Sequence, residues 1–384
     1  MTRKICFVTS SRADYGLIRN LLKLVREHPQ LELQIVATGS HLSDFHGLTK
    51  TEIELDGFSI DFEVKLAELT EDAPGISAMM SQTLTGCAQA FEKLSPDLIV
   101  VLGDRYEIFA ATSAALVAKI PVAHLHGGEL TEGAYDDTMR HCITKLSHLH
   151  FVANDEFRKR VIQLGENPER VFTVGGLGVD NLYLTTLLSR ERLERDLDLK
   201  FGSSNLLITF HPVTLGECSS KDQFKELLNS LKEFPETTLI FTMPNADVGN
   251  FEIKKQIKEF VEARENAHVF TFLGYQKYLS LMKIVDAVIG NSSSGLMEAP
   301  SVGVPTINIG SRQKGRPIAT SVINCTSKTD EISKAIRKLY SPEFQVQLTD
   351  IENPYGLPGS SQKIVSVLAE ISLDGLIRKV FYDL

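Results

Sequence analysis

The chain has 384 residues, enough for two domains, and its 43% hydrophobic and 23% charged content is that of a soluble globular protein. A net charge of -9 argues against a general nucleic-acid surface, which needs a basic face. No apolar run approaches the roughly 18 residues of a membrane span, and the apolar part of the start, MTRKICFVTS, is too short for a signal peptide.

In chain order, a strand at 4–9 opens onto Ser10, Ser11, Arg12, Ala13, Asp14, Tyr15 and Gly16, and the apolar residues from Leu17 to Val25 fall at helical spacing. A second strand spans 31–38. Residues 43–75 are polar and acidic, with weak periodicity, and part of them could cover a site as a flap. The pattern then alternates: helix 76–94, strand 97–102 ending in Gly103-Asp104-Arg105, helix 107–119, and strand 120–124 ending in His126-Gly127-Gly128-Glu129. Helix 138–147, strand 149–153, helix 155–164 and strand 171–174 complete the first half. Residues 181–204 are charged and helical, and the domain crossing falls near 176–200. The second half repeats the alternation: strand 205–210 ending in His211-Pro212, helix 221–233, strand 238–242, helix 250–264, strand 268–272 and helix 276–283. The tail at 361–380 is amphipathic and could cross back onto the first domain.

Strands alternating with helices imply parallel sheets covered on both faces, in two similar α/β domains facing a cleft. In such sheets ligands lie outside the carboxyl ends of the strands, where the polar motifs recur here. The five scattered cysteines (Cys6, Cys87, Cys142, Cys218 and Cys325) form no C-x-x-C pair. They fit a reducing compartment, and a cytoplasmic protein is expected.

The stretch 286–310, DAVIGNSSSGLMEAPSVGVPTINIG, reads as strand, polar turn, helix and strand. Such a turn aims backbone N–H groups and the Ser292 and Ser293 hydroxyls at one point, next to Gly295, with a helix start behind it. A phosphate is the natural guest. Glu298 would repel that anion but is placed to accept hydrogen bonds from a diol such as a ribose. Phosphate plus diol suggests a nucleotide, against the plainer reading of a capped helix start.

Other residues carry two readings each. Arg12 suits a diphosphate, or else pairs with Asp14 at the helix start. Asp104 is a functional carboxylate or the N-cap of helix 107–119. His124 and His126 have no third ligand at sensible spacing, so no metal site is expected. Gly127 and Gly128 would let backbone approach a substrate closely. One of Asp136 and Asp137 could serve as acid or base, the other as a cap. His211 is held out of helix by Pro212 and could donate to a phosphate oxygen. Arg312, Lys314 and Arg316 either close on a phosphate or face solvent. G-x-S-x-G, G-x-G-x-x-G and P-loop patterns are absent.

Together the segments SRADYG at 11–16, GDRYE at 103–107, HLHGGE at 124–129, YDDTMRHCITKLSHLH at 135–150, FHPVTL at 210–215, PNADVG at 244–249, IGNSSSGLMEAPS at 289–301 and INIGSRQKGR at 307–316 resemble the hydrolysing UDP-N-acetylglucosamine 2-epimerases of bacterial sialic-acid synthesis. The resemblance runs nearly end to end. It implies a GT-B-like fold, with a first Rossmann-like domain at 1–178, joined by a C-terminal helix at about 366–384, and a nucleotide-binding second domain at 179–365. It also implies a homodimer or homotetramer, no cofactor, and a UDP-sugar substrate. The implied reaction eliminates UDP from UDP-N-acetylglucosamine to give a 2-acetamidoglucal, then adds water to give N-acetylmannosamine. By resemblance Asp104 and Asp136 match the acid/base carboxylates, and Arg12, Arg105, His211, Asn245, Ser292, Ser293, Glu298 and Arg312 match nucleotide contacts. Many relatives carry glutamate where His126 stands, so the base at carbon 2 stays open between Asp104, His126 and Asp136, with Glu129 a further acid/base candidate. The sialic-acid branch shares the HxHGGE form. A UDP-N,N′-diacetylbacillosamine substrate, a GT-B glycosyltransferase and a non-catalytic sugar-nucleotide binder are the competing readings.

Overall fold

The computed structural model describes residues 2–43, 48–67, 72–131, 134–212, 219–244, 250–271 and 273–384. It divides into two units: residues 1–129, 136–181 and 356–384 form the first, and 130–135 with 182–355 form the second.

In the first unit the strands are β1 (Arg3–Thr9), β2 (Leu31–Ala37), β3 (Phe62–Glu63), β4 (Leu98–Leu102), β5 (Val122–Leu125), β6 (Leu149–Val152) and β7 (Val171–Thr173). They make one parallel sheet in the order β3-β2-β1-β4-β5-β6-β7. The second unit holds β8 (Asn205–Thr209), β9 (Thr238–Thr242), β10 (Ala267–Phe270), β11 (Ala287–Gly290), β12 (Thr306–Ile309) and β13 (Val322–Cys325). Their order is β10-β9-β8-β11-β12-β13, again parallel.

Strand periodicity explains why each sheet needs helices on both faces. Ile5 and Phe7 of β1, with Leu98 and Val100 of β4, enter one core; Cys6, Val8, Ile99 and Val101 enter another on the opposite face. In the second sheet Leu206, Ile208, Leu239 and Phe241 point one way, Leu207 and Ile240 the other. The helix Arg12–Glu27 covers one face of the first sheet through Ile18, Leu21, Leu22 and Val25.

The C-terminal helix departs from expectation. It spans Ser360–Glu370, and residues 371–384 continue without helix. Its apolar stripe is the expected one: Ile364, Val365 and Leu368 enter the core of the first unit beside the helix Arg12–Glu27. The helix stops where Ser372, Asp374 and Gly375 follow, and Gly375 takes φ +68°. At the other end Gly359, at φ +112°, donates its N–H to Asp180 Oδ1 at 2.6 Å.

Two further differences concern weakly patterned segments. The described part of 43–75 contains the short helix Lys50–Leu55 and the edge strand β3, so that stretch extends the sheet as well as looping. The segment after 317, where no element was expected, supplies β13 and the helices Thr329–Leu339 and Pro342–Gln347.

In both units the strand order reverses at the middle: between β1 and β4, and between β8 and β11. At the second reversal Gly290, the last residue of β11, sits at φ +138°, and a Cβ there would lie 1.9 Å from the Thr209 carbonyl oxygen. Only glycine lets the two strand ends approach so closely. Gly290→Ala is therefore expected to destabilise the protein by about 2 kcal/mol or more, the cost of forced overpacking plus a strained backbone. Thermal denaturation would register this as a melting point lowered by several degrees; an unchanged midpoint would refute the packing argument.

Candidate active site

A reversal in strand order opens a crevice, because the connections on its two sides leave in opposite directions. In the first unit three adjacent strands, β1, β4 and β5, deliver Arg12, Asp104-Arg105 and His126-Glu129 to that end of the sheet.

The centre is a buried ionic network. Glu129 Oε1 lies 2.6 Å from His126 Nδ1, and Glu129 Oε2 accepts from Arg140 Nη1 at 3.3 Å. Arg140 Nη2 donates to Asp104 Oδ2. His126 Nε2 accepts the Leu177 N–H at 3.4 Å, so the imidazole proton belongs on Nδ1, facing Glu129. Burial alone would lower the pKa of the Arg140 guanidinium; Asp104 and Glu129 outweigh it and leave the pKa raised. The side chains are 3% exposed for Glu129, 4% for Arg140, 8% for His126 and 22% for Asp104. Asp104 is thus the member of the network best able to exchange a proton with a ligand.

Several sequence readings change here. Asp104 does not cap the next helix: that helix, Tyr106–Val117, has Arg105 as its N-cap residue, and Asp104 pairs with Arg140 instead. Arg105 makes a two-pronged contact with buried Glu107, both bonds 3.1 Å. His126 lies beyond β5, not on it, with φ +62°. His124 is spent on structure: its Nε2 lies 2.8 Å from the Gly103 carbonyl oxygen and its Nδ1 3.1 Å from Thr144 Oγ1. Burial pushes its pKa down to about 3. The glycine at 128 serves internal packing: a Cβ there would lie 2.5 Å from the Phe157 carbonyl oxygen. His126 and Glu129, two alternatives in sequence, are one hydrogen-bonded pair. Asp136 is in the first turn of the helix Tyr135–Leu146, one turn before Arg140 on the same face.

In the second unit, β8 and β11 deliver His211 and the serine turn. Asn291 joins them: its Oδ1 accepts the His211 N–H at 2.7 Å, and its Nδ2 donates to the His211 carbonyl at 2.8 Å. The Asn291 carbonyl accepts from Arg312 Nη1 at 3.1 Å and Gln313 Nε2 at 2.7 Å. Arg312 thus braces the turn. Arg316 donates to the Leu130 carbonyl at 2.6 Å and to Thr131 Oγ1, holding the segment 130–131 to the second unit.

The helix after the turn is shorter than expected. It spans Ser294–Met297 and passes into a 3-10 turn, Ala299–Val302, because Pro300 has no N–H to continue it. The dipole contribution is correspondingly small. The N–H groups of Ser294 to Glu298 bond within the turn, to Ser292 Oγ and to the carbonyls of Ser292, Ser293 and Ser294. The half-exposed Ser292 and Ser293 are therefore the residues whose N–H and hydroxyl groups can meet an anion. Gly295 packs against Thr306, whose hydroxyl donates to its carbonyl at 2.7 Å. Glu298 is buried, 5% exposed. Tyr278, not noticed in sequence, joins this cluster: burial raises its pKa to about 12, opposed by hydrogen bonds with Ser294, Thr209 and Ser292 and reinforced by Glu298. Asn245 lies outside the described residues.

Arg140 is the chief residue that the sequence reading passed over. Its signal was the spacing Asp136-x-x-x-Arg140, one helical turn with opposite charges.

Two doubly wound parallel sheets, each carrying polar groups at its reversal, define an α/β protein of the GT-B-like type. The chain matches the UDP-N-acetylglucosamine 2-epimerase family over residues 23–369 and belongs to it. It is an enzyme of the hydrolysing 2-epimerase type. It is 41% identical, over all of this chain and 99% of the other, to the GDP/UDP-N,N′-diacetylbacillosamine 2-epimerase (hydrolyzing) of Campylobacter jejuni. It is 38% identical to the polysialic acid biosynthesis protein P7 of Escherichia coli, over all of this chain and 98% of that one. Among solved structures, the UDP-GlcNAc 2-epimerase from Neisseria meningitidis bound to UDP-GlcNAc is similar with a TM-score of 0.81 at 20% identity, covering 96% of this chain and 100% of that one.

Arg140→Met should leave two carboxylates facing each other without a cation. Removing one partner of a buried ionic network costs about 3–5 kcal/mol. Chemical denaturation of the purified variant is expected to show a loss of that order; a variant as stable as the parent would mean the network is solvated after all.

Proposed function

We propose that the enzyme eliminates UDP from a UDP-2-acetamido sugar and hydrates the product, releasing a free sugar inverted at carbon 2. The observation that carries this reading is the Asp104–Arg140–Glu129–His126 network at a strand-order reversal. The proton at carbon 2 is not acidic, because no carbonyl stands beside it. It becomes removable once the carbon 1–oxygen bond to UDP breaks and cationic character builds on the ring. UDP departs with the bonding electron pair, a carboxylate takes the proton, and a 2-acetamidoglucal remains. Water then adds its hydroxyl to carbon 1, and carbon 2 receives a proton from the opposite face.

Asp104, the most exposed member of the network, is the proposed base, and Asp136 the second acid/base group. His126 and Glu129 hold Arg140 and through it Asp104. Arg12, Arg105, His211, Ser292 and Ser293 stabilise the leaving diphosphate, each worth about 10²–10³ in rate by analogy with oxyanion donors. Asn245 and Arg312 complete the nucleotide contacts, and Glu298 accepts from the ribose hydroxyls. The protein acts as a cytoplasmic homodimer or homotetramer, and Cys6, Cys87, Cys142 and Cys325, all unbridged, accord with a reducing compartment.

UDP-N-acetylglucosamine, giving N-acetylmannosamine for sialic-acid synthesis, is the first substrate proposed. The relative named for polysialic acid biosynthesis supports it. The second is UDP-N,N′-diacetylbacillosamine, favoured by two relatives named for that sugar, at 41% and 33% identity. Incubation with each sugar nucleotide in heavy water, read by proton NMR, tests both. The expected product is a free sugar carrying one deuterium at carbon 2, from whichever substrate is turned over. A UDP-linked epimer would instead make the enzyme non-hydrolysing. A product without deuterium would exclude proton removal at carbon 2. No UDP release without an added acceptor would point to a glycosyltransferase or a silent binder.

The ribose assignment has its own check. Glu298→Ala should weaken UDP binding by roughly tenfold, the loss of a charged hydrogen-bond acceptor. Calorimetric titration with UDP measures it, and unchanged affinity would remove Glu298 from the nucleotide site.

A further inference from the structure

Asp14 is a buried carboxylate of the first unit, 6% exposed. In sequence it is the obvious salt-bridge partner for Arg12, yet its two oxygens face the preceding turn. Oδ1 accepts from Ser11 N at 2.8 Å, Ser11 Oγ at 3.0 Å, Thr9 Oγ1 at 3.1 Å and Tyr15 N at 2.8 Å. Oδ2 accepts from Ser10 N at 2.8 Å and Ser10 Oγ at 3.1 Å. A helix N-terminus capped by a box needs one such bond from the third residue; here six donors converge on one side chain.

The contacts continue outward in one direction. Because the Thr9 hydroxyl donates to Asp14, its oxygen is open to the His41 Nε2–H, 3.0 Å away. His41 Nδ1 then accepts from Thr49 Oγ1 at 2.9 Å. Burial lowers the pKa of His41, which keeps the ring neutral and each donor role fixed. The chain Thr49–His41–Thr9–Asp14 pins the turn at the end of β1 to the segment that leads into the helix Lys50–Leu55.

Arg12 is the first residue of the helix that this turn starts. Its backbone lies between Ser11 and Asp14, so every bond to Asp14 restricts where the guanidinium can reach. We propose that Asp14 is a positioning residue: it holds the Ser10-Ser11-Arg12 turn in the one conformation that presents Arg12 to the diphosphate of the substrate. This rests on the reading of Arg12 as a diphosphate donor given above. Preorganisation of this kind raises affinity by sparing the ordering cost at binding, without Asp14 touching the ligand.

A double-mutant cycle tests it, with UDP affinity measured by calorimetry and kcat and KM measured for the turned-over sugar nucleotide. Asp14→Asn keeps the size of the side chain but faces the six donors with an amide. With Arg12 present, it is expected to weaken UDP binding about tenfold, the middle of the coupling range for residues in one network. In an Arg12→Met background the same change should cost less than about twofold, because nothing is left to position. An equal loss in both backgrounds overturns the positioning role while leaving Arg12 as a ligand. No loss from Arg12→Met alone overturns the reading of Arg12, and the role of Asp14 falls with it. Circular dichroism checks folding. Should Asp14→Asn fail to fold, Ser10→Ala removes a single donor, and a smaller loss confined to the Arg12 background is the expected result; a loss in both backgrounds overturns the proposal.

Discussion

A guanidinium with 4% of its surface exposed is the constraint around which the first unit's site is built. Burying such a charge without partners costs several kcal/mol, far more than one hydrogen bond returns. Arg140 therefore dictates two carboxylates, and it has two, Asp104 and Glu129, arriving from the ends of β4 and β5. One of these carboxylates has a second partner. Glu129 is held by His126, whose own second nitrogen takes a backbone N–H. The consequence is an Asp104 that is 22% exposed and paired with a buried guanidinium. A lone surface aspartate would sample several rotamers and lose much of its value as a positioned base.

The second unit relies more on neutral groups. Asn291 reads both the N–H and the carbonyl of His211, as a neighbouring strand would, and so extends the contact between β8 and β11 past the last ladder pair. Gly290 makes this possible, because any side chain there would meet the Thr209 carbonyl. Arg312 and Gln313 brace the turn through the Asn291 carbonyl. What faces outward are two small serines with their N–H groups, which can wrap an oxyanion more closely than long cationic side chains can. One unit is thus rigid through ion pairing, the other through backbone complementarity.

The alternation of strands and helices was legible because it repeats a period-2 and a period-3.6 pattern over long stretches, and the strand ends were legible because the polar residues cluster there. Three kinds of feature were not. Short elements such as β3 and β13 carry too few residues for a pattern; β13 reads Val-Ile-Asn-Cys, and only its register with β12 makes it a strand. Helix ends depended on local chemistry: Pro300 cut the helix after the serine turn to Ser294–Met297, and the tail lost its helix at Glu370 despite an apolar stripe that runs on. The partners of charged groups were legible least of all. Asp14 and Arg12 are neighbours in sequence, and so are Asp104 and Arg105, yet Asp14 binds a turn, Asp104 binds Arg140 and Arg105 binds Glu107. Adjacency alone does not pick the partner, because adjacent side chains at a strand end point in different directions. The candidate residues themselves came from their positions after strands and from the family resemblance; some of their partners came from bonds that span 36 residues in one case and 80 in another.

This division of labour suits chemistry in which the leaving group matters more than the base. If the base had to remove the carbon 2 proton from an intact sugar nucleotide, a carboxylate would be a poor choice, since that proton is not acidic. Once the bond to UDP has begun to break, the demand reverses. A strong base is no longer needed, and a carboxylate that stays in place and does not attack the cationic ring becomes the better design. On the proposed reading, an Asp104 oxygen engaged by Arg140 is restrained as a nucleophile, which would favour a free glycal over a covalent sugar–enzyme ester. The buried Glu129–His126 pair behind Arg140 holds the guanidinium, and through it the Asp104 oxygen that it binds.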